Sequence, residues 1–166
     1  MPLVSVCDED KDLDGLMVNQ IGTQRLYNNN FVEYKKDVIL WDVIAIKPEQ
    51  ELLFRIIGTN SKYRQGVRLA IDVGDGFLEI NGIQSKGIQL WEDTCPEEAH
   101  IKCNSSAGLL SVYNIFDIES EGSGVRSQVP SCGMILEETG NLYRYYCNDA
   151  GFETNFEKLV FEIYVM

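Results

Sequence analysis

The chain is poor in histidine, in basic residues and in long apolar runs, and each shortage closes off a class of function. One histidine, His100, stands in 166 residues. With so little imidazole, and with no nucleophile elbow, no phosphate-cradling glycine loop and no dinucleotide fingerprint, the common catalytic constellations have no sequence to rest on. A domain that is not an enzyme is the expectation. Lysine and arginine number 14 against 26 acidic residues, a formal charge of −12. That field repels phosphate backbones and anionic headgroups, so neither nucleic acid nor a membrane surface is expected as partner. No apolar run approaches the roughly 20 residues of a membrane-spanning helix. The first residues lack the basic start and apolar stretch of a secretory signal, which points to the cytoplasm.

Five cysteines (Cys7, Cys95, Cys103, Cys132 and Cys147) are odd in number and irregular in spacing. In a chain long enough to bury a sizeable core, they are expected to be reduced thiols rather than a disulfide framework.

What the chain does have is strand rhythm. Residues 38–46 (VILWDVIAI) form a short, β-branched apolar run of the kind buried on both faces, and residues 52–57 are similar. In residues 67–73 (VRLAIDV) the odd positions are aliphatic and the even ones mostly polar, the mark of a half-buried strand. Gly74-Asp75-Gly76 and Asn81-Gly82 supply tight-turn chemistry on either side of Phe77-Leu78-Glu79-Ile80, which predicts successive hairpins. Further strands are expected at 88–91, 100–103, 109–116, 134–138, 143–147 and 159–165. Helical signals are brief: residues 48–51, 96–99 and 154–158 each read as a single capped turn. The expected architecture is all-β, an antiparallel two-sheet sandwich of jelly-roll type with about nine strands. It would form one domain, with residues 1–36 as an irregular acidic segment packed on the edge of a sandwich made by residues 37–166.

Three groupings could carry chemistry. Asp10-x-Asp12-x-Asp14-Gly15 has the alternate carboxylates and glycine that open an EF-hand calcium loop, but position twelve is Ile21 where a bidentate glutamate is needed. Asp10, Asp12 and Asp14 would therefore hold calcium weakly at best, and no other cofactor is implied. Cys95, His100 and Cys103 are near one another without a standard zinc spacing. Asp117, Glu119 and Glu121 repeat at period two, as a glycosidase pair on one strand face would, but the glycines at 122 and 124 mark a loop.

A fourth grouping suits binding better. Tyr113, Asn114 and Asp117, then Arg126 and Gln128, and later Asp149 bring amides, carboxylates, an arginine and an aromatic ring to strand ends. Such groups fix sugar hydroxyls and stack on sugar faces. The strand rhythm from 38 to 165 and the aromatics Trp41, Trp91 and Tyr113 resemble jelly-roll proteins of the carbohydrate-binding-module kind. The stretch at 148–154 (NDAGFET) is similar to part of an uncharacterised bacterial protein family. The resemblance implies a module that binds a glycan or another small polar ligand. The charge supports a different expectation beside it: an acidic interaction domain, of inhibitor, immunity or effector type, that meets a basic protein.

Overall fold

A computed structural model of the chain describes residues 21–31, 34–119, 124–151 and 153–166. They form thirteen strands: β1 (Leu26–Tyr27), β2 (Ile39–Ala45), β3 (Gln50–Thr59), β4 (Arg64–Ala70), β5 (Gly76–Ile80), β6 (Ile83–Ser85), β7 (Gly87–Trp91), β8 (Ala99–Ser105), β9 (Leu109–Asp117), β10 (Val125–Arg126), β11 (Gly133–Thr139), β12 (Leu142–Asn148) and β13 (Leu159–Val165). Each stretch expected to be extended lies within or across one of these strands, and the additional ones, β1, β6 and β10, are only two or three residues long. Among the described residues no helix is long and apolar enough to cross a membrane. Asp10, Asp12 and Asp14 lie outside the described residues.

The strands pair antiparallel in the order β6-β5-β8-β3-β13-β12-β11-β2-β9-β4-β7, with β1 added beside β2 and β10 beside β9. The all-β, antiparallel expectation holds, but the sheet is one continuous, nearly closed, barrel-like surface rather than two separate sheets. Two segments make it continuous. Strand β2 pairs through Ile39 with Met134 of β11, and through Asp42 to Ala45 with β9, so it belongs to both halves. Strands β6 and β7 are separated only by Lys86, and they pair with β5 and with β4 respectively. Both margins of the sheet are thus parts of one extended run. Alternation of apolar and polar residues says that a segment is a strand without saying which strands it joins.

Turn chemistry explains the path in detail. Asn81 and Gly82 both have positive φ (52° and 78°) and close a two-residue hairpin across Ile80 and Ile83, as the sequence predicts. The glycines at 74 and 76 do not close a hairpin. They carry the chain from β4, between β9 and β7, to β5, between β6 and β8. Gly76 is needed there because a Cβ at this position would lie 2.1 Å from the Asn104 carbonyl oxygen on β8. The three turns expected to be helical are not. Gln50 and Glu51 already belong to β3 and Ala99 to β8, and the described residues hold a single 3-10 turn, Asn29–Phe31. Strand pairing outweighs the weak helical preference of a few residues.

The inward face carries one large apolar core. Phe161 packs between Phe54 (ring centroids 5.6 Å apart) and Tyr145 (4.7 Å), and Leu52, Val67, Leu69, Leu110 and Val112 join the same cluster. Truncating a fully buried ring of this kind costs about 3 to 5 kcal/mol. On the outer face, Glu162 of β13 sits in register between Arg144 of β12 and Arg55 of β3 and bonds both (2.7 and 2.8 Å).

Candidate functional site

Two loops at one end of the barrel define a cleft. The first follows β3. Ser61 Oγ accepts the Tyr63 backbone N–H (3.1 Å), a local turn that any serine at this spacing can make. The second follows β12 and runs from Asp149 to Lys158. Within it Asn155 Oδ1 accepts the Glu157 N–H (2.9 Å), and the Asn155 N–H is received by Asn148 Oδ1 (3.0 Å). The Asn60 N–H donates to the Lys158 carbonyl (3.0 Å), so the loops are tied backbone to backbone at one point. Between them lies a cleft of about 1000 Å³, with Asn60, Lys62 and Tyr63 on one wall and Glu153, Asn155 and Lys158 on the other.

Asp149 forms the floor, and its side chain is 1% exposed. Its Oδ2 accepts from Ser61 Oγ and from Gln65 Nε2 (2.8 Å), and Gln65 Nε2 also donates to the Tyr63 carbonyl (3.1 Å). Lys158 Nζ stands 3.0 Å from Asp149 Oδ1 as an ion pair but out of hydrogen-bond alignment, so Oδ1 has no directed donor. The ammonium, itself 13% exposed, donates to the Glu153 carbonyl at 2.8 Å. A carboxylate taken this far from water persists only when charge and donors compensate it, and here directed donors serve one oxygen and the Lys158 charge the other.

A second buried carboxylate lies on the core side of β2. Asp42 Oδ1 accepts from Arg25 Nε (2.7 Å) and from the Val43 N–H (2.8 Å), and Oδ2 accepts from Tyr145 Oη (2.6 Å). Burial, and after it the Asp42 charge, push the Tyr145 hydroxyl well above its ordinary pKa. A shallower, apolar groove of about 560 Å³ lies between Tyr34, Ile135, Tyr146 and Phe156.

The six residues expected to bind ligand are dispersed. Asp149 alone of them lines the cleft. Asn114 is buried on the inner face of β9, where its Nδ2 donates to the Asn148 carbonyl (3.1 Å), one residue from Asp149. Tyr113 points to the other face of β9 and packs against Trp41 with ring centroids 4.5 Å apart. Asp117 is buried and its Oδ1 accepts the Glu119 N–H (3.0 Å), which shapes the loop beyond β9. Arg126 is exposed and donates to the Val125 carbonyl (3.2 Å). Gln128 has a φ of 52° and a buried Nε2 that finds no hydrogen-bond partner among the described residues.

The other groupings fare differently. His100 and Cys103 stand three positions apart on β8, so they face opposite sides, the first exposed and the second buried. Among the described residues no group of three or more histidine, cysteine, aspartate and glutamate side chains is placed to hold a metal ion. The described cysteines, Cys95, Cys103, Cys132 and Cys147, are free thiols. Burial pushes Cys103 up to about 12 and Cys132 up to about 11, which keeps both protonated and unreactive.

Ser61, Gln65 and Lys158 were not legible as site residues. Ser61 sits in a polar turn, Gln65 in a strand and Lys158 at the end of a supposed helical turn, and nothing in their spacing ties them to Asp149. Comparison with protein-family models, with curated proteins and with solved structures finds no match to this chain.

Proposed function

We propose that this chain is a binding domain for a small polar ligand, held in the cleft between the loop after β3 and the loop after β12. The observation that carries this reading is the cleft itself, about 1000 Å³ and lined by Asn60, Ser61, Tyr63, Thr154 and Asn155, over a buried carboxylate, Asp149, that Ser61, Gln65 and Lys158 hold in place. The walls carry amide, hydroxyl and tyrosine groups beside Lys62 and Glu153, groups that can hold a polar ligand by hydrogen bonds, charge and stacking. Ser61 Oγ donates its hydrogen bond to Asp149 Oδ2, which fixes both groups at the base of the cleft.

On this reading the molecule works as jelly-roll carbohydrate-binding modules do, with a rigid β framework and a ligand taken by loops at one end. Titration of ¹⁵N-labelled protein with a panel of mono- and disaccharides tests it. Saturable shifts confined to residues 59–63 and 149–158, absent from Asp149→Asn, are the expected result. Shifts centred on the apolar groove or on Trp41 and Tyr113 would move the site elsewhere.

A further inference from the structure

We infer that the ligand of this cleft is an amphiphile: its polar part sits between the two loops, and an aliphatic chain runs from there along a groove on the outer face of the sheet. The inference rests on the binding reading above and adds a second half to the ligand. Its starting point is that the concavities on this side of the barrel adjoin one another. Thr59 and Asn60, on one wall of the cleft, also line a hollow of about 400 Å³ over β3, β12 and β13. Tyr146 and Glu157 line both that hollow and the apolar groove of about 560 Å³ bounded by Tyr34, Ile135 and Phe156. A ligand longer than the cleft therefore has somewhere to go.

Strand register decides what that path is made of. Gly58 of β3 lies opposite Val160 of β13, Val160 opposite Tyr146 of β12, and Tyr146 opposite Ile135 of β11. Phe161, Tyr145 and Met134 are buried in the core, so their neighbours Val160, Tyr146 and Ile135 stand on the outer face, in one row across the strands. Three inter-strand steps make that row roughly 14 Å long. Its first position has no side chain, and a Cβ added at Gly58 would meet nothing within 4 Å, which leaves room beside Thr59. The far end is closed by rings: Tyr34 and Phe156 lie 5.2 Å apart, centroid to centroid, over the groove that Ile135 shares. Charges along the way are turned aside, since Arg144 bonds Glu162 (2.7 Å) and Glu157 is exposed. Ile57 and Tyr34 are 45% and 46% exposed, and apolar groups left open to water in one row mark a contact surface. The strands beneath, β3, β13 and β12, are each paired on both sides. They have no main-chain bonds to spare for an extended peptide, whereas an aliphatic chain needs none.

The test compares the methyl and octyl glycosides of glucose, galactose and mannose by NMR titration of the full chain, with the octyl forms kept below their micelle concentrations. For at least one sugar the octyl form is expected to bind roughly tenfold or more tightly than the methyl form, the gain from burying about two methylenes. It should also add shifts at Gly58, Val160, Tyr146 and Ile135 to those of residues 59–63 and 149–158. In Gly58→Leu, whose side chain stands in the row beside Val160, the octyl form is expected to lose its advantage over the methyl form. Equal affinities of the two forms for the wild-type cleft overturn the inference and leave the binding reading standing. An octyl advantage that survives Gly58→Leu, or octyl shifts confined to the groove, overturns it as well. The wild-type comparison decides even if that variant does not fold. If no glycoside shifts the residues of the cleft, the binding reading itself falls and takes this inference with it.

Discussion

Asp42 and Asp149 are both fully buried, both next to a basic side chain and both bonded to a hydroxyl, yet they serve different ends. Asp42 has directed donors on each oxygen: Arg25 and a backbone N–H on one, Tyr145 on the other. Nothing remains to be bound, and the carboxylate works as a fastener between β1's flank, β2 and β12. Asp149 has hydroxyl and amide donors on one oxygen and only the ion pair with Lys158 on the other, and it lies beneath a cleft. The difference teaches how to separate structure from site among buried charges: count the donors that reach each oxygen, then ask what lies in front of the one that is short.

The strongest way to break this comparison is Asp42→Ala. It leaves the Tyr145 hydroxyl buried without an acceptor and strips Arg25 of its partner, so unfolding in urea is expected at a stability lower by about 3 to 5 kcal/mol, with ligand binding unaltered in the folded fraction. Asp149→Asn is expected to cost less, about 1 to 3 kcal/mol, since Ser61 and Gln65 keep an oxygen to donate to, but it should abolish binding in the cleft. Were the two variants to lose equal stability and Asp149→Asn to bind normally, the distinction between fastener and site would be gone.

A smaller effect sharpens the contrast with a third buried carboxylate, Glu162, whose arginine partners reach solvent. Burial raises the Glu162 carboxyl, but the hydrogen bonds and charges of Arg55 and Arg144 outweigh it and hold the group below the ordinary range. A depressed carboxyl stabilises the fold above its unfolded pKa, near 4.3, and that contribution disappears as the pH falls through the lower folded value. Because both arginines are nearly half exposed, the pair is screened, and Glu162→Gln should lower stability by no more than about 1 kcal/mol at neutral pH while flattening the acid limb of the stability profile. Least of all is expected from Arg126→Ala. Among the described residues its guanidinium meets the neighbouring Val125 carbonyl, and it lies outside the cleft, so melting temperature and cleft binding should both stay within error. A lost affinity there would return the site to the loops after β9.

The strands were legible because they obey a local rule. The alternation in 67–73 and the Asn81-Gly82 turn are each decided within a few residues; the structure follows the turn, and it follows the strand as far as Ala70, where β4 ends. The closure of the sheet was not legible, since Lys86 looks like any polar residue between two strands and its meaning lies in distant pairing: its carbonyl receives the Ile71 N–H just past β4, and Gly87 pairs with Ala70. The cleft was legible only in Asp149, a carboxylate just past a strand end. Its partners are set by topology: Ser61 and Gln65 come near because β3 and β4 flank one loop, and Lys158 because the chain returns there to start β13. Tyr113 and Asn114 show the complementary limit. Polar and aromatic groups near a strand terminus suit a ligand, but on a strand buried on both faces they suit packing equally well.

Because one extended run supplies both margins of the sheet, the stretches of unpaired backbone are short, three residues in β6 and five in β7. Neither offers another chain a template long enough for stable strand addition, so the barrel is guarded against edge-to-edge association by its own continuity rather than by charge. That protection has a single point of failure. Lys86 is exposed, at the one place where the two margins are still one piece of chain, and cleavage after it would let them part. An intact molecule with nothing to template would become one with two free margins, and tryptic nicking at this bond should be followed by aggregation rather than by simple loss of a loop.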